Sequence, residues 1–317
     1  MPEVRFLPLR PLALASLVAN VALVVTGAAV RLTGSGLGCP TWPRCTDGSY
    51  TTTAEMGVHG VIEFGNRMLT FALGVIAVAC VIAALLEKPR RRSRVLLSVA
   101  VLFYIPLQAV VGGITVLTDL NPWVVGIHFL ISIVIIAFAY ALWRRAAEGD
   151  GPPVPLVPRP INHLVWILSA VSAAVIALGV VVTGSGPHAG DEDAKRNGLD
   201  PATVSQAHAD VVFLLIGLTV ALVFALRALK APAPTVRAAV VLLVVELAQG
   251  LIGFVQYFTH LPVLLVGAHM LGAALVWTST LAVIWSLRAR PDVPAAPAPA
   301  ELSPTTVADD EPVPTSR

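Results

Sequence analysis

The segment LQAVVGGITVLTDLNPWVVGIHF, residues 107–129, decides the fold, because a segment much later in the chain repeats its pattern. The later segment is LAQGLIGFVQYFTHLPVLLVGAHM, residues 247–270. Four polar or small residues align between the two: Gln108 with Gln249, Gly112 with Gly253, Gly126 with Gly267, and His128 with His269. Each segment joins the end of one apolar run to the start of the next. The repeat predicts that the chain consists of two related halves.

The composition around the repeat excludes an ordinary soluble domain. The 317 residues are 56% hydrophobic and only 13% charged, and the mean hydropathy is +0.81. Eight apolar runs are long enough to cross a bilayer: residues 11–31, 60–86, 95–117, 122–143, 161–184, 203–229, 235–258 and 262–288. The sequence therefore predicts an all-α integral membrane protein with eight transmembrane helices.

The short sequence TGSG marks the same point in both halves, at residues 33–36 after span 1 and at 183–186 after span 5. Four spans return a chain to the side from which it started. The halves 11–150 and 151–288 are therefore predicted to have the same orientation, as two parallel-related four-helix bundles. This disfavours an inverted-repeat transporter fold, whereas a parallel-repeat transporter stays open.

Positive charges predict which side of the membrane each loop faces. The loops after spans 2, 4, 6 and 8 are rich in Lys and Arg: Lys88, Arg90, Arg91, Arg92, Arg94, Arg144, Arg145, Arg227, Lys230, Arg237, Arg288 and Arg290. The turns TDLNP and THLP on the opposite side have none. The positive-inside rule places both termini in the cytoplasm, for a multi-pass protein of the plasma membrane. The net charge of +2 then reflects topology, and no nucleic-acid partner is expected.

The two ends of the chain are predicted to lie on the cytoplasmic side. Residues 1–10 form the N-terminus there, and the first apolar run is expected to be a retained span. That run is longer than a signal-peptide core and lacks a convincing cleavage site. Residues 289–317 are rich in Pro and Ala without apolar periodicity, which predicts a disordered cytoplasmic tail.

Two cysteines, Cys39 and Cys45, lie in the first external loop within GCPTWPRC. An oxidising compartment permits a disulfide there, and the short spacer with two prolines suits a small ring. A metal site would need more ligands than this loop offers. A disulfide is therefore predicted.

Four histidines lie near the external ends of the even-numbered spans: His59, His128, His208 and His269. A single buried His is more often a satisfied hydrogen-bonding residue than a ligand. One His in each of four helices, two of them related by the repeat, instead favours haem held between helices by paired histidines. Zinc is disfavoured because no tetrahedral ligand set is evident. Haem sites are thus predicted toward the external face in both halves.

The segment IEFGNRML, residues 62–69, puts Glu63, Asn66 and Arg67 on one face of span 2, because they are spaced i, i+3 and i+4. Two interpretations are open. Glu63 and Arg67 could form an ion pair that neutralises both charges, or Arg67 could bind a haem propionate while Glu63 faces the reacting group. Arg31, at the external end of span 1, is a second propionate candidate, with interfacial snorkelling as its alternative.

These features together resemble the heme A synthases. The resemblance covers the eight spans, residues 11–288, and is carried by VRLTGSGLGCPTWPRC, by IEFGNRML and by His128, His208 and His269. That family oxidises a methyl group of heme O to the formyl group of heme A for terminal oxidases. The resemblance implies an oxidoreductase acting on CH groups, whose N-terminal half takes heme O as substrate and whose C-terminal half holds haem b.

The resemblance also implies a role for each candidate residue. His208 and His269 would ligate the iron of haem b, and His128 that of the substrate haem. Glu63 would be the catalytic carboxylate in the N-terminal half. The paired cysteines would form the external disulfide of the family.

One position departs from the family pattern Glu-x-x-His-Arg, because Asn66 stands where the family has His. His59, on nearly the same face of span 2, is a possible replacement ligand. The implied partners are a heme O synthase (a protohaem farnesyltransferase) as donor, an electron-transfer partner in the membrane, and the lipid bilayer. Two other functions stay open: a di-haem b electron-transfer cytochrome, and a parallel-repeat transporter.

Overall fold

A computed structural model describes residues 8–292 of the chain and is built almost wholly of helices. Its long helices are α1 Leu9–Leu32, α2 Gly57–Leu86, α3 Arg92–Leu117, α4 Pro122–Ala147, α5 Arg159–Ser185, α6 Pro201–Ala228, α7 Ala233–Phe258 and α8 Val263–Ser286. All eight are long and apolar enough to cross a membrane. The predicted all-α membrane fold with eight spans is confirmed. The prediction for the N-terminus falls largely, and that for the tail almost wholly, outside the described residues.

Two of the eight long helices begin at a side-chain cap. The side chain of Asn121 accepts a hydrogen bond from the backbone N–H of Trp123 at 3.0 Å, and Pro122 opens α4. The side chain of Asp200 accepts one from the backbone N–H of Thr203 at 2.8 Å, and Pro201 opens α6. A polar cap followed by Pro satisfies exposed N–H groups and presets the helical φ angle. These caps fix where α4 and α6 begin.

The repeat is visible in the backbone of two turns. Asp119 and Leu120 between α3 and α4 have φ values of 50° and 55°, and His260 and Leu261 between α7 and α8 have 63° and 59°. Non-glycine residues rarely adopt positive φ. The N–H of Leu120 donates to the Thr115 carbonyl at 2.8 Å, and that of Leu261 donates to the Gln256 carbonyl at the same distance. The aligned segments therefore fold alike, residue for residue.

Helix neighbours follow chain order. In the first half α1 packs against α2 and α4, and α3 packs against α2 and α4; in the second, α5 packs against α6 and α8, and α7 against α6 and α8. The halves meet through α1, α4, α5 and α8, where the indole N–H of Trp277 donates to the Ile133 carbonyl at 3.0 Å. Two four-helix bundles would have these neighbours, and their parallel relation stays a prediction.

The cation-rich loops come together at one end of the molecule. Strand β1, Val154–Pro155, pairs antiparallel with strand β2, Arg288–Ala289, so ordered chain extends just past the predicted boundary at 288. Ion pairs surround this pairing: Arg94–Glu87 at 2.8 Å, Arg91–Asp150 at 2.7 Å and Arg145–Glu148 at 2.9 Å. They tie the connection between the halves to neighbouring helix ends. That this end is cytoplasmic stays a prediction.

Candidate functional site

Two histidine rings face each other between helices of the C-terminal half. The rings of His208 on α6 and His269 on α8 have centroids 6.5 Å apart and planes inclined at 69°. Two imidazoles that bind one metal ion from opposite sides, at metal–nitrogen distances of about 2.0–2.1 Å, place their ring centres roughly 6.4 Å apart. The observed spacing fits a shared iron atom.

Each of three histidine rings lies over a glycine of the neighbouring helix. A Cβ added at Gly253 would lie 3.2 Å from Cε1 of His269, and one at Gly112 would lie 3.0 Å from Cε1 of His128. A third glycine, Gly179 on α5, stands in the same relation to His208, at 3.2 Å. The repeat had singled out the first two glycines. The sequence did not single out Gly179, because no glycine of the N-terminal half aligns with it. Its position on the helix before the one that carries His208 was the available signal.

The aligned glutamines hold the backbone of the aligned histidines. The side-chain amide of Gln108 donates to the His128 carbonyl at 2.7 Å, and that of Gln249 donates to the His269 carbonyl at 2.7 Å. Gln108 also contacts the hydroxyl of Ser132 at 2.5 Å. The recurring spacing between Gln and His is therefore a helix-to-helix anchor next to a candidate ligand.

The rings of these three histidines are not used up by hydrogen bonds inside the protein. Nδ1 of His128, His208 and His269 is buried and makes no hydrogen bond of good geometry within residues 8–292. Buried polar atoms are nearly always hydrogen-bonded, so such orphans call for an explanation. A bound group that engages these imidazoles supplies one, and the donor set fits haem iron.

The N-terminal half differs where the second ligand would stand. Asn66 precedes the last residue of α2, Leu86, by 20 residues, as His208 precedes the last residue of α6, Ala228. Asn66 is thus the counterpart of His208. Its side-chain oxygen accepts a hydrogen bond from the hydroxyl of Thr26 on α1 at 2.8 Å. The Asn66 side chain therefore takes part in packing α2 against α1.

The structure places His59 near the N-terminal end of α2 and away from that position. His59 is the third residue of α2, seven residues before Asn66, which is about 10 Å along a helix axis. Its ring is exposed, and Nδ1 lies 2.9 Å from the hydroxyl of Ser35 in the TGSG segment. Its role as a replacement ligand stays a prediction.

Glu63 and Arg67 form the ion pair that their spacing suggested. Arg67 also hydrogen-bonds the backbone of the disulfide loop. Nε of Arg67 donates to Oε1 of Glu63 at 2.7 Å. The two terminal nitrogens donate to carbonyls of the disulfide loop: Cys39 at 3.2 Å, Thr41 at 3.0 Å and Arg44 at 3.2 Å. Glu63 is 6% exposed, and its other oxygen, Oε2, is buried with no partner in the described chain. One carboxylate oxygen is held while the other is free.

The predicted disulfide between Cys39 and Cys45 is confirmed. Its loop also reaches α3, where the indole of Trp42 packs so closely on Gly113 that no side chain would fit there. The preceding residue, Gly112, is the one under the His128 ring. The disulfide loop therefore lies next to the His128 ring, at the C-terminal end of α3. The adjacent glycines in the sequence were the only sign of this contact.

Arg31 joins the two halves of the molecule. Its Nε donates to the His188 carbonyl at 2.5 Å, and a terminal nitrogen donates to the Thr183 carbonyl at 2.7 Å. These bonds link α1 to the end of α5 and the loop after it. The propionate roles of Arg31 and Arg67 stay predictions.

The fold and the site define a class: a multi-pass membrane protein with half-buried histidines between helices in each half. Within that class, the chain belongs to the cytochrome oxidase assembly protein family, whose sequence profile matches residues 10–281.

Its curated relatives are named Heme A synthase. The protein of Listeria monocytogenes serotype 4b is 33% identical over 137 residues, 43% of this chain and 44% of the relative. That of Symbiobacterium thermophilum is 28% identical over 185 residues, 55% and 58% of the two chains. That of Bacillus licheniformis is 27% identical over 143 residues, 45% and 46%. The chain spans about half the length of the curated relatives it matches.

Proposed function

We propose that this protein is a heme A synthase, an oxidoreductase that converts a methyl group of heme O to a formyl group. The observation that carries the proposal is the asymmetry of two corresponding sites. One has two facing histidines, and the other has a single His together with a buried carboxylate that keeps one oxygen free. Family membership and the names of the relatives support it.

In the C-terminal half, His208 and His269 would hold haem b. When bound, haem b supplies a one-electron redox centre. Gln249 fixes the backbone of His269, and Gly253 leaves room for its ring. These residues keep the His269 imidazole oriented, which a ligand needs in both redox states.

In the N-terminal half, His128 would bind the substrate iron from one side only. Asn66 is tied to Thr26 and is a poor ligand for haem iron. This half therefore offers the substrate iron one protein ligand, whereas the C-terminal half offers two. Two successive hydroxylations of the methyl carbon would give a geminal diol, which loses water to form the aldehyde. Each hydroxylation takes two electrons from that carbon, which an oxidant from outside this chain would have to accept.

Glu63 would act beside that methyl group. Arg67 holds Oε1, and the carbonyls of Cys39 and Thr41 hold Arg67 in turn. Oε2 is left to accept a proton or to stabilise developing positive charge. The low-dielectric surroundings strengthen both effects.

The topology and partners complete the proposal. Both termini lie in the cytoplasm, and both haem sites lie toward the external face, where the bilayer can take up the lipid tail of heme O. A heme O synthase would supply the substrate. An electron-transfer protein in the membrane would exchange electrons with haem b.

Haem extraction tests the proposal. The chain is co-expressed with a heme O synthase and purified, and its haems are separated chromatographically. Heme O, its alcohol and heme A together with haem b are expected. Haem b alone would contradict the synthase and favour an electron-transfer cytochrome, whereas a protein with no haem would favour a parallel-repeat transporter.

A further inference from the structure

A second buried carboxyl lies inside the membrane-spanning part of the C-terminal half. Glu246 on α7 is 3% exposed. Its Oε1 lies 2.9 Å from the hydroxyl of Thr219 on α6, and Oε2 is buried with no hydrogen-bond partner in the part of the chain described. Within the same residues, no basic side chain comes within ion-pairing distance of it. Ionisable groups placed this way in a membrane are costly and generally functional.

The hydroxyl of Thr219 has one proton and two neighbours. Its oxygen also lies 3.0 Å from the Leu215 carbonyl, one turn earlier on α6. A carbonyl cannot donate, so the hydroxyl proton goes to Leu215 whenever that bond is made. The bond to Glu246 then needs a proton on the carboxyl. A protonated Glu246 can donate to Thr219 while Thr219 donates to the Leu215 carbonyl, so both bonds are made. An ionised Glu246 instead competes with the Leu215 carbonyl for the one hydroxyl proton. The site can therefore exist in a protonated and an ionised state.

Glu246 is one helical turn from the anchor of a candidate haem ligand. Gln249 follows it at i+3, on the same face of α7, and donates to the His269 carbonyl. The axial separation of the two α7 residues is about 4.5 Å. A charge at the carboxyl and a charge at the His208–His269 site would therefore interact through an apolar interior, which screens charges less than water does.

The N-terminal half has no carboxyl at the position that corresponds to Glu246. Ile105 aligns with Glu246 through the repeat, and Ala77 lies as far from the end of α2 as Thr219 does from the end of α6. Both replacements are buried and apolar. The carboxyl and its hydroxyl partner occur together in the half with two facing histidines and are both missing from the other.

We propose that Glu246 is a proton-binding site linked to the redox state of a haem held by His208 and His269. A one-electron reductant converts the ferric iron to ferrous, and the Glu246 carboxylate takes up one proton, so that electron and proton charges cancel. Reoxidation removes the electron and releases the proton. This inference rests on the haem b site of the proposed function.

Other titratable groups on α7 and on the two helices packed against it are accounted for. They are Arg237 and Tyr257 on α7, His208, Asp210 and Arg227 on α6, and His269 on α8. The two histidines would be ligands. The remaining four are exposed on the surface. Glu246 is the buried group that is free to titrate.

The test is a redox titration of haem b at several pH values in the purified full chain. The midpoint potential of the unaltered protein is expected to fall as pH rises through the region where Glu246 ionises. At full coupling, the equilibrium constant for reduction changes tenfold for each tenfold change in proton concentration. In Glu246→Gln this dependence is expected to vanish, while the absorption spectrum of haem b stays the same.

Thr219→Val is the matched control, because it removes the hydrogen bond and keeps the carboxyl. In this variant the midpoint potential of haem b is expected still to depend on pH, but over a different pH range. A second readout is the reduced-minus-oxidised infrared difference spectrum, in which a protonated carboxyl band should appear on reduction. That band should be lost in Glu246→Gln and displaced in Glu246→Asp, the variant to use if Gln impairs folding.

The outcomes separate the two proposals. The role of Glu246 is overturned if the midpoint potential of haem b does not depend on pH in the unaltered protein. It is also overturned if the dependence is the same in Glu246→Gln. Neither result contradicts the haem b site. An infrared band that Glu246→Asp does not displace overturns the role of Glu246 in the same way. A purified chain without haem b overturns the proposed function as well.

Discussion

The two halves of this protein share their supports and differ in their reactive groups. Both have the same left-handed turn, the same Gln-to-carbonyl anchor and the same glycine beneath a His ring. The N-terminal half has Asn66 where the C-terminal half has His208, and Ile105 where the C-terminal half has Glu246. The disulfide loop belongs to the N-terminal half. The comparison teaches that one scaffold can carry different reactive side chains in its two copies. Four substitutions test that division.

The largest expected effect comes from removing a ligand in the C-terminal half. His208→Ala should abolish haem b binding, because a buried iron would lose one of its two protein ligands. The absorption spectrum of the purified protein measures this. His128→Ala is the matched substitution in the other half and should retain haem b. If both variants lost the same haem, the division between the halves would be wrong.

Glu63→Gln should lower heme A formation by about 10²–10⁴-fold, the usual contribution of a positioned acid or base. The amide keeps the size and the contact with Arg67 but cannot accept a proton. Glu192→Gln, at an exposed loop position, is the control and should have full activity. Heme O bound to an inactive Glu63→Gln protein would place the defect in chemistry; normal heme A yield would refute the catalytic role.

Asn66→His would make the N-terminal half resemble the C-terminal one. A second axial ligand should tighten substrate-haem binding by about tenfold, worth roughly 1.4 kcal/mol, and lower turnover by a similar factor. Haem retention and single-turnover yield measure the two effects. Thr26→Val removes the hydrogen bond of Asn66 without adding a ligand, so it should affect stability alone. Unchanged kinetics in Asn66→His would contradict the proposal that the substrate iron has His128 as its one protein ligand.

The smallest effects should come from the glycines beneath the rings. Gly253→Ala brings a Cβ within 3.2 Å of His269, so the ring must move by a few tenths of an ångström. Haem b binding should weaken by less than about fivefold, under 1 kcal/mol. Gly250→Ala is the matched control, because nothing lies within 4 Å of its added Cβ. Equal affinities for the two variants would show that the ring has room to spare.

Local signals in the sequence predicted the helices and part of the site. The turns at 118–121 and 259–262 lie where Pro and polar residues interrupt the apolar runs, because such breaks reflect backbone chemistry. The contact between Glu63 and Arg67 followed from helical spacing alone.

Other contacts depend on packing between distant segments. The bond from Arg31 to the His188 carbonyl and the contact of Trp42 with Gly113 join parts of the chain that share no local pattern. Glu246 was overlooked inside an apolar run. A lone acid in such a run was itself the signal.

The paired left-handed turns also bear on the origin of the molecule. Two consecutive non-glycine residues at positive φ are an uncommon solution. It recurs at aligned sites, with Asp first in one turn and His first in the other and Leu second in both, which indicates common descent. A duplicated and fused gene of four helices explains it. After fusion each copy could change alone, which accounts for Asn66 in one half where His208 stands in the other.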